Sequence, residues 1–191
     1  MITDLLREKG IVPSSTIGLS IGEYSSLYAA NVLAREDAVR IAVARGRFMG
    51  EISGNTAMYA VLKASESEIS EVLSIANEGK DAGEAVYIAN YNCPGQIVIS
   101  GAASTCENAV AIFEERGIKA VRLNVSGAFH TPFMKAAAVR LAELFESIDF
   151  KEKSIPVFTN LTGKDDEITK EMMVRQLQSP VRFEQAVSNM L

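Results

Sequence analysis

The sequence of 191 residues contains one histidine and two cysteines, which argues against a zinc cluster. Cys93 and Cys106 lack C-x-x-C spacing, so they also argue against a disulfide scaffold. No apolar run approaches the roughly 20 residues of a membrane span. The net charge is −5 and no dense basic run occurs, which disfavours binding of nucleic acid through its phosphates. We therefore expect no metal, no membrane and no nucleic acid as a partner.

The start of the chain has neither the basic region nor the apolar region of a secretory signal peptide, which predicts a cytoplasmic protein. The composition is 48% hydrophobic and 23% charged, as is ordinary for a globular protein with a sizeable core. The length suits one domain, or one domain with a smaller insertion.

Residues 18–22 read Gly-Leu-Ser-Ile-Gly, the G-x-S-x-G pattern of a nucleophile elbow. A short β-rich segment precedes them and a helix-compatible run over 23–30 follows, which is the context that the motif requires. We expect Ser20 to lie on a sharp turn, and we expect both glycines to be needed because a Cβ would crowd neighbouring backbone. The first amides of the helix would then face a developing oxyanion. Ordinary glycine and serine turns also match this pattern.

The order of predicted elements indicates an α/β fold. Residues 55–125 follow the order β-α-β-β-α-β, which is typical of a ferredoxin-like unit, so we expect them to form an inserted subdomain. Residues 1–54 and 126–191 are expected to form a hydrolase-like core around a parallel sheet.

Three elements are predicted after the insertion. Thr131 is a suitable N-cap and Pro132 a suitable first residue for a helix that runs to about residue 147. A strand is expected over residues 155–160 and a helix over residues 168–177.

His130 is the only histidine, so it is the sole candidate for a histidine base if Ser20 is a nucleophile. It directly precedes the expected helix N-cap, and a rigid, partly exposed position there would suit a general base. The alternative is a surface-loop histidine without a role. Phe129 lies beside it, where an aromatic ring would either limit the volume of a pocket or simply pack.

Arg45 is expected to return to the level of Ser20. The helices predicted over 23–30 and 36–49 are joined by a short break, so they should run antiparallel. The rise is about 15 Å over residues 20–30 and about 14 Å over residues 36–45, so the two nearly match. A guanidinium at that level would hold a carboxylate in a bidentate fork, which suggests an acyl substrate with a free carboxylate. The alternative is a solvated arginine near a helix C-terminus.

Several motifs resemble, in their order along the whole chain, the malonyl-CoA:acyl carrier protein transacylases and the acyltransferase domains of polyketide synthases. These motifs are Gly18-Leu19-Ser20-Ile21-Gly22-Glu23-Tyr24, Arg45-Gly46, Asn90-Tyr91-Asn92-Cys93-Pro94-Gly95-Gln96, Gly127-Ala128-Phe129-His130, and Gln176-Leu177 with Pro180-Val181. Several motifs in the correct order are far more specific than one elbow.

The resemblance implies roles for the reacting groups. Ser20 would become malonylated and His130 would be its base. The amide of Ile21 would supply one half of the oxyanion hole. Gln176 matches the position that orients the histidine through its backbone carbonyl.

The resemblance also implies how the substrate is held. Arg45 would hold the malonyl carboxylate. Asn92 and Gln96 match positions near the substrate cleft. The Gly-Ala-Phe-His form, which includes Phe129, looks like the malonyl-selective version of the motif.

The chemistry implied by the resemblance is ping-pong acyl transfer in fatty-acid or polyketide synthesis. A serine attacks the thioester of malonyl-CoA, and the pantetheine thiol of acyl carrier protein then collects the malonyl group. No metal or prosthetic cofactor is needed, since CoA and pantetheine thioesters are substrates.

Two departures from the family pattern stand out. Leu19 occupies a position where many members have histidine. The Gly-Gln-Gly loop that supplies the second oxyanion amide is missing before the elbow, and the C-terminal segment after residues 180–183 is short. The chain therefore looks like a central piece of the enzyme, and we expect weak or absent activity from it alone, because losing one oxyanion donor costs about 100- to 1000-fold in rate.

Two other functions remain open. A serine esterase or patatin-like lipase would use the same elbow, although the expected Asp-Gly of a patatin-like dyad is absent. An inactive acyltransferase module that only binds acyl carrier protein is the second alternative. Docking of an acidic carrier protein would need a local basic patch, for which Arg116, Lys119 and Arg122 are candidates unless they are simply a solvated surface.

Overall fold

The computed structural model describes residues 2–52, 54–125 and 127–191. The elements in chain order are α1 (Ile2–Glu8), β1 (Thr16–Ile17), α2 (Gly22–Ala29), α3 (Arg35–Gly50), β2 (Thr56–Leu62), α4 (Glu66–Ala76), β3 (Val86–Cys93), β4 (Gln96–Ala102), α5 (Ala103–Glu115), β5 (Lys119–Arg122), α6 (Lys135–Glu146), β6 (Val157–Phe158), α7 (Lys170–Arg175), β7 (Val181–Arg182) and α8 (Phe183–Met190). Single 3₁₀ turns, Pro132–Met134 and Gln176–Gln178, precede α6 and follow α7.

A five-stranded sheet has the order β5-β2-β4-β3-β7. The first four strands pair antiparallel in the spatial order of a ferredoxin-like unit, with α4 and α5 as its helices. Along β2, Tyr59 and Val61 face the helices, whereas Met58 and Ala60 pack on the opposite side. Both faces of this sheet are therefore covered, which explains why its central strands read as nearly continuous apolar runs.

The helix α4 shows how local sequence sets an element boundary. Ser65 accepts a hydrogen bond from the Glu68 N–H, and the Glu68 carboxylate accepts one from the Ser65 N–H. This capping box satisfies two donors that the helix leaves unpaired at its start.

A second, parallel sheet consists of β1 and β6, with Thr16 opposite Val157 and Ile17 opposite Phe158. The helices α2, α3, α6 and α7 bury an apolar core around it, which includes Leu27, Ile41, Leu141, Val157 and Met173. The prediction of a mixed α/β fold with a parallel-sheet core and a ferredoxin-like insertion is confirmed.

The division of the chain into residues 1–54 with 126–191, and 55–125, stays a prediction. Strand β7 comes from the C-terminal part of the chain but pairs in parallel with β3 of the inserted unit, so the two parts share one sheet. Three residues of the predicted division, Met1, Ser53 and Ser126, lie outside the described residues.

The strand predicted over 155–160 is wrong in length, since only Val157–Phe158 are in a strand. The N–H groups of the next two residues leave the ladder, because Thr159 donates to Lys164 O and Asn160 donates to the carboxylate of Glu23. Strand β7 and helix α8 are additional elements that the sequence pattern did not predict.

The start of α6 also differs from its prediction. Pro132 takes the first helical position, but the first turn is 3₁₀. The Thr131 hydroxyl does not cap that turn and instead donates to Ala128 O at 2.6 Å. This bond tightens the loop that carries His130. Among the described residues, no helix combines the length and apolar character needed to cross a membrane.

Candidate active site

The loop between β1 and α2 holds Ser20 in a left-handed backbone conformation, with φ of 53°. This conformation is uncommon for a residue with a side chain and is concentrated at functional sites. The turn is closed by the Gly22 N–H, which donates to Leu19 O at 2.9 Å, and by the Glu23 N–H, which donates to Ser20 O at 3.1 Å. Ser20 therefore projects from a rigid turn at the start of a helix, as the elbow motif predicts.

The two glycines of the elbow are not equivalent. A Cβ on Gly18 would lie 2.1 Å from Gly22 O, which no side chain can tolerate. A Cβ on Gly22 would meet nothing within 4 Å, because this residue opens α2 and faces free space. The prediction that a side chain would crowd the backbone at both positions is therefore wrong for Gly22.

The structure places His130 beside Ser20, although 110 residues separate them in the sequence. Ser20 Oγ lies 2.7 Å from His130 Nε2, and His130 Nδ1 lies 3.0 Å from Gln176 O. A carbonyl oxygen only accepts hydrogen bonds, so Nδ1 carries the proton and Nε2 is left to accept from the serine hydroxyl. This arrangement can remove the proton of Ser20.

His130 is buried, with 3% of its surface exposed, so the expectation of a partly exposed histidine is wrong. The tight loop, with φ of 60° at His130, turns the ring inward to the serine. Burial and, to a smaller extent, the nearby Arg45 charge lower the pKa of His130 to about 4, against the backbone hydrogen bonds with Gln176 and Ser179 that raise it. The imidazole is therefore neutral near pH 7, as a general base must be.

Arg45 reaches the serine from the adjacent antiparallel helix α3, at the level that the sequence predicts. Its Nη2 donates to Ser20 Oγ at 2.9 Å and lies 3.5 Å from Gln176 Oε1. The side chain is buried, and its Cζ lies 5.9 Å from the centre of the Tyr24 ring. Among the described residues, no carboxylate forms an ion pair with Arg45, and its Nε has no hydrogen-bond partner.

Two buried side chains tie the elbow to the neighbouring strand end and to Gln176. The Asn160 amide accepts from the Ser20 N–H at 2.6 Å and donates to Gly18 O at 2.6 Å. The Glu23 carboxylate accepts from the Asn160 N–H and from Gln176 Nε2, both at 2.8 Å. Burial raises the pKa of Glu23 to about 7, against these two hydrogen bonds and the charge of Arg45.

Ile21 occupies the N-cap position of α2, directly after Ser20. The N–H groups at the start of a helix have no carbonyl partner within that helix. Ile21 therefore directly follows the nucleophile at the start of a helix, and its role as a donor to an oxyanion stays a prediction. Leu19, on the other side of the serine, is 41% exposed.

The remaining predicted site residues are Phe129, Asn92 and Gln96. Phe129 is half-buried and packs against both the helical core and the inserted sheet. Asn92 and Gln96 flank the turn between β3 and β4 and contact each other, with Asn92 Nδ2 at 3.4 Å from Gln96 Oε1. Within the described part of the chain, neither forms a hydrogen bond to Ser20 or His130, so their role stays a prediction.

An open cleft of about 450 Å³ lies between the inserted unit and the core. Its walls include Leu73 and Asn77 of α4, Ile88 of β3, Pro180 and one residue of the site, His130. A ligand in this cleft would contact both parts of the molecule.

Comparison with known proteins agrees with this geometry. A family model described as an acyl transferase domain matches residues 2–191. The chain belongs to the acyl transferase domain family. It is 41% identical to the malonyl CoA-acyl carrier protein transacylase of Bacillus subtilis, over 100% of this chain and 61% of that protein.

Solved structures resemble this acyl transferase domain over almost its whole length. A malonyl CoA-acyl carrier protein transacylase from Clostridium perfringens has a TM-score of 0.93 and 32% identity, covering 99% of this chain and 60% of that one. A malonyl-transacylase in complex with its type II polyketide synthase acyl-carrier protein has a TM-score of 0.88 and 34% identity, covering 95% and 60%. The chain thus spans about three fifths of the length of these relatives.

Asn160 and the side chain of Glu23 belong to the site of this acyl transferase domain, yet sequence reasoning did not assign them a role. In the sequence, Glu23 is simply an acidic residue at the start of a helix, where such a residue is common. Asn160 lies 140 residues after Ser20. The signal that could have found it is topological, since Gly18 and Asn160 follow β1 and β6, and adjacent parallel strands end at the same sheet edge.

The site of this acyl transferase domain contains one imidazole, one guanidinium and one carboxylate. Within residues 2–52, 54–125 and 127–191, no group of three or more histidine, cysteine, aspartate or glutamate side chains is arranged to hold a metal ion.

Proposed function

We propose that this chain transfers a malonyl group from malonyl-CoA to the pantetheine thiol of acyl carrier protein, through a malonyl ester of Ser20. The observation that carries the proposal is the buried Arg45, whose Nη2 lies 2.9 Å from Ser20 Oγ. A buried guanidinium without a carboxylate partner is costly, and an anionic acyl substrate would supply that partner. A neutral ester would leave it unpaired.

The relatives support the same proposal through their names. The Bacillus subtilis and Clostridium perfringens proteins are malonyl CoA-acyl carrier protein transacylases, and a third relative is found in complex with its acyl-carrier protein. These relatives are longer than this chain, so we propose the same activity, substrates and partners for this chain by similarity.

In the first half-reaction, His130 Nε2 takes the proton of Ser20 while Oγ attacks the thioester carbon of malonyl-CoA. The Oγ–C bond forms, the C–S bond breaks, and the CoA sulfur receives the proton from Nε2. The Ile21 amide would donate to the carbonyl oxygen as it becomes an oxyanion. The Gln176 carbonyl holds Nδ1–H throughout, so the ring keeps its orientation.

In the second half-reaction, the pantetheine thiol gives its proton to His130 Nε2 and attacks the malonyl ester. The new C–S bond forms, the C–Oγ bond breaks, and Ser20 Oγ recovers the proton. In this proposal, Arg45 holds the malonyl carboxylate and Phe129 limits the volume of the acyl group. Asn92 and Gln96 border the substrate cleft. The cytoplasmic location expected from the sequence belongs to this proposal, and cell fractionation tests it.

A transfer assay tests the proposal. The chain is incubated with malonyl-CoA and holo acyl carrier protein, and malonyl carrier protein and free malonate are measured by mass spectrometry. We expect slow turnover, because one oxyanion donor is missing, with malonyl carrier protein forming faster than free malonate. With Ser20→Ala we expect neither product above background. Faster release of free malonate would favour a hydrolase, and no product from a folded chain would favour a module that only binds.

A further inference from the structure

Glu23 contacts neither Ser20 Oγ nor the imidazole. Its carboxylate does form hydrogen bonds to the two residues that hold the serine and the histidine in place, Asn160 and Gln176. It is buried at 1% exposure. Its Oε1 accepts from the Asn160 N–H and its Oε2 accepts from Gln176 Nε2, each at 2.8 Å. The mechanism above uses no buried carboxylate, so this one needs an explanation.

The first arm from Glu23 runs through Asn160 to the nucleophile. The Asn160 side chain brackets the elbow, because it accepts from the Ser20 N–H and donates to Gly18 O, both at 2.6 Å. The left-handed backbone at Ser20 persists only if surrounding groups hold it. Since Glu23 fixes the Asn160 backbone, it also fixes the amide that holds the serine.

The second arm runs through Gln176 to the base. Gln176 Nε2 donates to Glu23 and, at 3.1 Å, to Ser20 O. The backbone carbonyl of the same residue accepts from His130 Nδ1 at 3.0 Å. One residue therefore touches the carboxylate, the nucleophile and the base.

We propose that Glu23 is a positioning residue that keeps Ser20 Oγ and His130 Nε2 at hydrogen-bond distance by anchoring Asn160 and Gln176 together. The proposal rests on the acyl-transfer function above. The base here is held by a peptide carbonyl, and the carboxylate acts one layer farther out, on the residue that provides this carbonyl.

The hydrogen-bond partners of Glu23 are best satisfied by a carboxylate. Both groups that face Glu23 are N–H donors, from the Asn160 backbone and the Gln176 side chain. A carboxylate accepts at both oxygens, whereas an amide of the same shape would turn an NH₂ group toward one of the donors. A buried donor left without an acceptor costs the full desolvation of that group.

The test compares Glu23→Gln and Glu23→Asp with the parent, and uses Glu71→Gln as the matched control. Glu71 is also a hydrogen-bonded carboxylate, 2.9 Å from Arg116, but on the exposed surface of the inserted unit. The single histidine allows the His130 ring nitrogens to be read by ¹⁵N NMR without overlap. We expect one tautomer, with the proton on Nδ1, in the parent and in Glu71→Gln.

In Glu23→Gln we expect mixed tautomers and a maximal rate of Ser20 malonylation at least about tenfold lower, with the half-saturating malonyl-CoA concentration unchanged. Glu23→Asp keeps the carboxylate and should recover part of the rate. A folded Glu23→Gln chain with the parent spectrum and rate would overturn the proposal. If Glu23→Gln does not fold, Glu23→Asp decides in the same way. Loss of the fold in both would assign Glu23 a purely structural role and overturn the proposal.

A fluorophosphonate reagent separates this proposal from the substrate assignment. It forms a Ser Oγ–P bond with loss of fluoride and needs an activated serine but no malonyl-CoA. Labelling of the parent that depends on Glu23, without malonylation, would support the positioning role and contradict the proposed substrate. Labelling that Glu23→Gln leaves at the parent rate would overturn the positioning role alone. A folded parent that reacts with neither reagent would overturn both.

Discussion

His130 is held by the peptide carbonyl of Gln176, and among the described residues no carboxylate forms a hydrogen bond to the ring. Burial and the positive charge of Arg45 both disfavour the imidazolium, so the neutral ring dominates near pH 7. Near neutral pH the imidazole is therefore ready to accept a proton, but the imidazolium that results is poorly stabilised. Such a site suits reversible acyl transfer, because the proton that His130 accepts is passed to the leaving group within the same half-reaction.

The titration of His130 is a direct prediction at the residue scale. Burial lowers its pKa to about 4, so the ring should remain neutral as the pH falls past 6.5, where an ordinary histidine becomes charged. We expect the ¹⁵N signals of the parent to begin to change only below about pH 5. A midpoint near 6.5 would contradict the buried, neutral imidazole described above.

Arg45 should determine the preference for a charged acyl group. In Arg45→Ala, we expect Ser20 acylation by malonyl-CoA to fall at least about tenfold relative to acylation by acetyl-CoA, since a charge-assisted bidentate contact is lost. Intact-mass kinetics with both thioesters measure this ratio. Arg47→Ala is the control, because this exposed arginine of the same helix pairs with Glu51. An unchanged ratio in Arg45→Ala would remove the guanidinium from the acyl site.

The residues that meet at the site differ in how far the sequence could place them. Ser20 has a local motif, and Arg45 follows from the lengths of two helices joined by a short break. The hydrogen bond between His130 and Gln176 depends on the backbone path of two distant loops. Neither the burial of His130 nor the contacts of Asn160 could be derived from local sequence.

At the scale of the element, the elbow between β1 and α2 depends on one close approach. Gly18 lies so near the Gly22 carbonyl that the strand and the helix can join only if it has no side chain. Local pattern predicted this strand, turn and helix well, because each has its own signal. It made β6 too long and missed β7, because partners distant in sequence decide the pairing of these two strands.

Substitution by alanine should destabilise the fold strongly at one elbow glycine and only slightly at the other. Gly18→Ala would place its Cβ 2.1 Å from Gly22 O, so we expect the free energy of unfolding to fall by about 3 kcal/mol or more. Gly22→Ala meets no atom within 4 Å, and the change should stay within about 1 kcal/mol. Urea unfolding followed by circular dichroism measures both. Equal effects would contradict the asymmetry of the turn.

For the whole molecule, the inserted unit and the core share a sheet through β3 and β7, and Phe129 packs against both. The sequence predicted the two units, but not the shared strand, because β7 has only two residues and no alternating pattern. The cleft is lined by residues of both units, including His130, so its shape depends on how the whole chain is assembled.

The free energy of unfolding of the whole chain should depend on pH through the buried carboxylate of Glu23. Burial raises the pKa of Glu23 to about 7 from 4.5, so the folded state retains a proton that the unfolded chain has lost. The corresponding stabilisation is complete below pH 4.5 and is lost as the pH rises through 7. The free energy of unfolding of the parent minus that of Glu23→Gln should therefore fall by about 3 kcal/mol between pH 4.5 and 7.5.

Urea unfolding of the two chains at several pH values measures this difference. His130 contributes with the opposite sign, since its lowered pKa gives stability above pH 6.5 that is lost as the pH falls through about 4. Taking the difference between the two chains cancels this contribution, because both contain His130. Parallel stability curves for parent and variant would contradict the raised pKa of Glu23.

The most direct test of the account is the intact mass of the purified chain after incubation with malonyl-CoA, beside Ser20→Ala. The geometry of Ser20, His130 and Arg45 predicts one malonyl adduct on the parent chain and none on Ser20→Ala. Transfer of that adduct to added holo acyl carrier protein should then restore the original mass. A folded parent chain without an adduct, or an equal adduct on Ser20→Ala, would contradict the central claim.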